Sequence, residues 1–170
     1  MNILYLHGYK SSSGCEKVKW LQGEGHHVVN PQINYDDKRC FLKLFEFMST
    51  PISMFYYQKI DLIIGSSMGG YFAYELGKHF DIEVILFNPA FDSRPVEPEM
   101  EKPGQCDPLV TLAVGENDTV IDYEDTLKYL DENAACFFRP NYFRGKHGHR
   151  TPIDFFKKVF YFSNSIKPTS

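Results

Sequence analysis

The run Leu62-Ile63-Ile64-Gly65-Ser66-Ser67-Met68-Gly69-Gly70-Tyr71-Phe72-Ala73-Tyr74-Glu75-Leu76 joins an apolar stretch to a helix-like one through the pentapeptide Gly65-Ser66-Ser67-Met68-Gly69. A Gly-x-Ser-x-Gly sequence in that setting is expected to fold as a nucleophile elbow. Its glycines leave space for a sharp strand-to-helix turn that holds one serine hydroxyl above the sheet edge. That serine is Ser67.

An elbow of this kind needs a parallel sheet beneath it, and the rest of the chain supplies the strands. Short apolar runs recur at residues 3–6, 28–29, 62–64, 84–87, 109–114 and 136–138, with helix-like stretches between them. Strands alternating with helices build βαβ units and a mostly parallel sheet with helices on both faces. One helix is predicted where Tyr123, Leu127, Leu130 and Ala134 fall on one face and Asp122, Glu124 and Asp125 crowd the first turn, where the helix dipole favours negative charge. A second is predicted after Thr151 as N-cap and Pro152 at the first helical position, with Asp154 and then Phe156, Val159 and Phe160 behind them. A third is expected over residues 37–48, where Phe41, Leu44, Phe45 and Met48 share a face ahead of Pro51. Residues 90–108 form the one long irregular stretch, with Pro95, Pro98, Pro103 and Pro108, and loops of that length often serve as lids or pocket walls.

At 170 residues the chain suits one domain, spanning residues 1–170. It is 43% hydrophobic with 15 Phe and 11 Tyr, so the core should be rich in aromatic rings. The net charge of −4, with cations scattered rather than clustered, argues against a nucleic-acid or anionic-membrane footprint and favours a small-molecule partner. Neither a signal-peptide pattern nor a membrane span is visible, which gives the cytoplasm as the expected location. Oligomeric state is not legible. The cysteines at 15, 40, 106 and 136 lack the spacing of a zinc site or redox pair and are expected to be reduced thiols.

A serine hydroxyl is a poor nucleophile at neutral pH, so it needs a base in hydrogen-bond reach and a third group that fixes the tautomer of that base. Asp118 is the acid candidate, because it sits in a glycine-initiated loop just after the strand at 109–114; Glu116 and Asp122 are rivals in the same loop. The base candidates are His147 and His149, between the last strand and the Thr151-headed helix. His147 is preferred, since it follows a glycine turn at a length suited to reach back over the sheet edge, and His149 is the alternative. His26, His27 and His79 have no partner by position. Acyl transfer also needs two N–H donors for the developing oxyanion. Met68, directly after the nucleophile, supplies one, and Tyr9 in the loop His7-Gly8-Tyr9-Lys10-Ser11-Ser12-Ser13-Gly14 is the candidate for the other, with Gly8 allowing close approach. Asn88 and Phe91, after a strand end, are candidate substrate-binding residues together with Gly8, as are Pro31 and Gln32. No metal or cofactor is called for.

The motifs Leu4-Tyr5-Leu6-His7-Gly8-Tyr9, Gly65-Ser66-Ser67-Met68-Gly69-Gly70-Tyr71 and Asn88-Pro89-Ala90, with residues 115–123, resemble the YqiA-type family of small bacterial esterases over nearly the whole chain. The resemblance implies a minimal, single-domain α/β-hydrolase-like three-layer sandwich with strand order 2-1-3-4-5-6. It also implies hydrolysis of carboxylic esters or acyl thioesters through a Ser-His-Asp triad and an acyl-enzyme. Residue by residue it places the nucleophile on Ser67, the acid on Asp118 and the histidine on His147, with Asp154-Phe155 at the family's distance downstream. The chain departs from the pattern in carrying His149 where the family has an aromatic residue, and in a shorter segment between Asn88-Pro89 and Leu109. Two other functions use the same fold: a hydrolase-like small-molecule binding protein with an inactive triad, and a small amidase or peptidase.

Overall fold

The computed structural model describes residues 1–50, 59–100, 108–133 and 140–165. In chain order the elements are β1 (Asn2–Leu6), α1 (Glu16–Gly23), β2 (His27–Val29), α2 (Cys40–Ser49), β3 (Leu62–Ser66), α3 (Met68–Phe80), β4 (Val84–Phe87), β5 (Val110–Gly115), α4 (Tyr123–Asn133), β6 (Asn141–Gly145) and α5 (Ile153–Ser165). All six strands are parallel, in the order β2-β1-β3-β4-β5-β6. This is the expected sheet.

The four inner strands are apolar almost throughout because both faces are covered. Along a strand, alternate side chains point to opposite faces. Thus Ile3 and Tyr5 join Leu62, Ile64, Ile85, Phe87 and Ala113 under α1 and α5, whereas Leu4, Leu6, Ile63, Leu86 and Leu112 pack toward α2, α3 and α4. The first of these layers is knit by rings. Trp20 of α1 meets Phe156, Phe160 and Tyr161 of α5 edge-on, with centroids 5.8, 5.4 and 5.6 Å away. Phe156 and Phe160 are buried, and each contributes about 1.5–3 kcal/mol, so the sheet is a stiff platform for the loops at its carboxyl edge.

Three elements differ from expectation. The last strand is Asn141–Gly145, in the polar-looking stretch Asn-Tyr-Phe-Arg-Gly, while the apolar run expected at 136–138 lies outside the described residues. As an edge strand β6 is covered incompletely, and Tyr142 and Arg144 face solvent, so it carries no continuous apolar signature. Helix α5 begins at Ile153: the Phe156 N–H donates to the Pro152 carbonyl at 3.0 Å, which puts Pro152 in the N-cap place expected of Thr151. Thr151 is instead buried, and its hydroxyl has no hydrogen-bond partner among the described residues. Finally, α1 has too weak an amphipathic stripe to announce itself, burying only Val18 and Leu21.

Candidate active site

Parallel strands bring all their carboxyl ends to one edge, and the loops leaving β1, β3, β4, β5 and β6 converge there. Ser67 stands between β3 and α3 with φ 54° and ψ −122°. A non-glycine residue in that region costs about 1–3 kcal/mol and persists only where its surroundings over-determine it. Here they do. The Ser67 N–H donates to Phe87 O at 2.9 Å, and its carbonyl accepts from the N–H groups of Gly70, Tyr71 and Ala90 at 2.8, 3.2 and 3.0 Å. The flanking glycines are required by the close return of the turn over β1: a Cβ on Gly69 would lie 2.3 Å from Leu6 O, and one on Gly65 would lie 2.2 Å from Gly69 O. Because the Ser67 side chain caps no N–H of its own helix, its hydroxyl is available outward.

His149 faces that hydroxyl, with Nε2 3.0 Å from Ser67 Oγ, and its Nδ1 lies 2.8 Å from Asp118 Oδ2. The Asp118 side chain is 1% exposed, and its second oxygen accepts from the Val120 and Ile121 N–H groups at 2.8 and 3.0 Å. Every oxygen of this carboxylate therefore has a donor. The rival acids are occupied otherwise: Glu116 pairs with Arg144, and Asp122 accepts from the Glu124 N–H at the start of α4.

The histidine expected beside Ser67 was His147, and the geometry places it elsewhere. The His147 N–H turns back to Gly145 O at 2.8 Å, and its carbonyl accepts from the Asn117 N–H at 3.1 Å. Its ring lies 4.7 Å from the Phe155 ring, with Nδ1 on the Gly148 carbonyl and Nε2 buried without a hydrogen-bond partner among the described residues. This tight turn sends His147 under the loop and brings the residue two positions later over the sheet edge. Gly115 makes the turn possible, since a Cβ there would lie 2.4 Å from His147 O.

Asn88 joins the two loops. Its Oδ1 accepts from the Gly115 N–H at 2.7 Å, and its Nδ2 donates to His149 O at 2.8 Å. At 2% exposure with its amide used at both ends, it is a brace between the acid and histidine loops rather than the substrate contact expected from its place after β4. Asn88→Ala would leave both partners unpaired, at about 1–3 kcal/mol for each. The expected result is a clear fall in the urea midpoint, and an unchanged midpoint would contradict the brace.

Met68 follows Ser67 at the start of α3 and Tyr9 lies in the loop after β1, and among the described residues neither backbone N–H donates to a protein acceptor. The loop carrying Tyr9 is set by His7, whose structural part the motif alone did not reveal. His7 is 2% exposed; its Nε2 accepts from the Ile33 N–H at 3.0 Å, so Nδ1 holds the proton and donates to Gly8 O at 2.8 Å. The Tyr35 hydroxyl donates to the His7 carbonyl, closing the pin.

A cavity of about 670 Å³ opens beside Ser67 and His149, with Gly8 and Tyr9 in its wall. Phe91 is not in that wall, contrary to expectation. It is 1% exposed and stacks on Tyr129 at 4.5 Å, within the core. In the same segment the Arg94 guanidinium lies 4.5 Å from the Tyr71 ring of α3 and the Glu99 N–H donates to Lys38 O at 2.7 Å, and none of residues 90–100 lines the Ser67 cavity; 101–107 lie outside the described residues. Pro31 and Gln32 line a separate cavity beside β2. Cys15 and Cys40 are free thiols, and Cys106 and Cys136 lie outside the described residues. Among the described residues no cluster of His, Cys, Asp and Glu could hold a metal ion, and no helix is long and apolar enough to cross a membrane.

Residues 2–107 match the model of a family described as "Uncharacterised protein family (UPF0227)". No curated protein matches in sequence. Among solved structures, the fold is similar to mouse alpha/beta hydrolase domain-containing protein 10, at 12% identity and a TM-score of 0.69 over 97% of this chain and 89% of that one. It is similar also to the Pyrococcus furiosus esterase Pf2001, at 18% identity and 0.68 over 96% and 80%. A third is MGS-MChE2, an alpha/beta hydrolase enzyme from the metagenome of lagoon sediments of Mar Chica, Morocco, at 15% and 0.66 over 97% and 89%. At these identities the likeness is one of fold.

Proposed function

Because the chain belongs to the UPF0227 family and has the α/β-hydrolase fold, we propose that it is a serine hydrolase cleaving carboxylic esters or acyl thioesters of small molecules. The observation that carries this reading is the unbroken hydrogen-bonded line from Ser67 Oγ through His149 to Asp118, at 3.0 and 2.8 Å. In it, Asp118 accepts a hydrogen bond from Nδ1–H and so leaves the Nε2 lone pair facing the hydroxyl. His149 takes the proton as Ser67 Oγ bonds to the substrate carbonyl carbon, and the carbonyl oxygen becomes an oxyanion. The N–H groups of Met68 and Tyr9 are the donors assigned to that charge, and each is without a protein acceptor among the described residues. Collapse breaks the bond to the leaving alcohol or thiol, which receives the proton from His149. Water then repeats the sequence on the acyl-enzyme, releasing the acid and restoring the Ser67 hydroxyl.

The strained backbone at Ser67 supports the same reading. A conformation costing about 1–3 kcal/mol is held there by four main-chain hydrogen bonds while the side chain is kept free of structural duty. The expected result is covalent labelling of the folded protein by a fluorophosphonate probe, detected as a mass increase and abolished in Ser67→Ala. A folded wild-type protein that never labels would overturn the proposal.

A further inference from the structure

The cavity beside Ser67 has a wall of unusual charge for a chain of net charge −4: Lys10, Lys17 and Arg150 line it, against the single carboxylate of Glu16. Elsewhere among the described residues six cations are ion-paired, among them Lys43 with Asp37, Lys78 with Glu75, Arg94 with Glu97 and Arg144 with Glu116, while lysines such as Lys19, Lys38 and Lys146 are not. Among the described residues none of the three cavity cations has an ion-pair partner. Lys17 is only half exposed, and its ammonium lies 5.9 Å from the Phe156 ring. Burial pushes its pKa down, and the charge of Arg150 pushes the same way against the opposing pull of Cys15 and Glu16. A partly desolvated ammonium beside a second cation is an arrangement that an anion would relieve.

Two further features point to the same occupant. Thr151, 3% exposed, lines the cavity, and among the described residues its hydroxyl has no hydrogen-bond partner. Buried hydroxyls are nearly always hydrogen-bonded, and this one, itself buried behind the cavity wall, is a donor without an acceptor. Cys15, the N-cap of α1, also lines the cavity and makes no side-chain capping bond, so the positive end of that helix lies there with only Glu16 in its first turn to offset it.

We propose that this wall is an anion subsite. In it Lys17, Arg150 and Thr151 bind a carboxylate or phosphate carried by the substrate, so the natural ester or thioester is an anionic one. The substrate assignment rests on Ser67 being the acyl-transfer nucleophile; the anion site itself does not. Charge-assisted contacts of this kind translate into about a 10-fold to 100-fold preference.

Binding is tested without turnover, by calorimetric titration of inorganic phosphate and, separately, adipate into wild-type protein, Lys17→Met, Arg150→Met and Thr151→Val. The expected result is saturable binding of one of the two anions, weakened about 10-fold or more in each lysine or arginine variant, with folding checked by circular dichroism. Lys17→Arg and Arg150→Lys should recover part of the affinity. Failure of both anions to bind, or binding indifferent to all three sites, overturns the proposal. Turnover then separates the two levels. The 4-nitrophenyl monoester of adipic acid is compared with 4-nitrophenyl hexanoate, and 3-butyryloxypropyl phosphate with 3-butyryloxypropanol. A preference for the first pair's anion identifies a carboxylate, and for the second pair's a phosphate. Equal kcat/KM within both pairs, in protein that labels with fluorophosphonate, removes the substrate assignment while leaving the hydrolase reading intact. Absence of labelling removes the hydrolase reading, and the titrations still decide the anion site.

Discussion

His149→Ala is expected to lower kcat/KM for a small ester by about 10⁴-fold or more, the scale seen when a triad base is deleted, whereas His147→Ala should cost less than about tenfold. The difference follows from position. His149 Nε2 is 3.0 Å from Ser67 Oγ, while the His147 ring lies against Phe155 with its Nδ1 on the Gly148 carbonyl. For His147 to reach Ser67, its N–H would have to leave Gly145 O and its carbonyl would have to leave the Asn117 N–H. Two backbone bonds would be lost to rebuild a contact that His149 already makes. Initial rates on a 4-nitrophenyl ester, with thermal melts to confirm folding, check both variants. A His147 variant that is dead beside an active His149 variant would reverse the assignment.

That exchange of histidines shows where the sequence stops speaking. The elbow was legible because Gly65, Ser67 and Gly69 satisfy a steric demand local to one turn, and the flanking runs declare the strand and helix that the turn joins. The sheet was legible because β1, β3, β4 and β5 are buried on both faces and so remain apolar without interruption. Edge strand β6 has no such demand on its outer side. Its sequence reads as loop, and with the strand displaced in the reading, the length of the following loop was misjudged too. The histidine assignment depended on that length. The resemblance to the YqiA-type family carried the histidine onto His147 as well, since residue-by-residue transfer matches spacing and cannot sense a tight turn held by Gly115 and Asn117. Asn88 and Phe91 failed for a related reason. A residue after a strand end faces either the cavity or the neighbouring loop, and only the packing of β5 and α4 decides: Asn88 turns to Gly115 and His149, and Phe91 to Tyr129.

Asp118→Asn should be nearly as damaging as loss of the histidine while leaving the fold almost untouched, because the exchange alters one proton. Asp118 Oδ1 accepts from two backbone donors, the N–H groups of Val120 and Ile121, at 2.8 and 3.0 Å. In the asparagine variant those two donors hold the amide oxygen in the same place, which forces the NH₂ group to face His149. An NH₂ group cannot accept the Nδ1 proton. The imidazole therefore shifts its proton to Nε2 and presents a donor, not a lone pair, to the Ser67 hydroxyl, so the serine loses its base with every heavy atom in position. The same exchange in serine proteases lowers kcat about 10⁴-fold, and a fall of that order is expected here, with KM little changed and the melting temperature close to wild type. Asp118→Ala provides the contrast, since it also strips the Val120 and Ile121 N–H groups of their acceptor and should lower the melting temperature as well as the rate. If Asp118→Asn retained kcat within tenfold, the carboxylate would be only a turn-capping group, and the orientation of His149 would have to come from the Asn88 amide on its carbonyl alone.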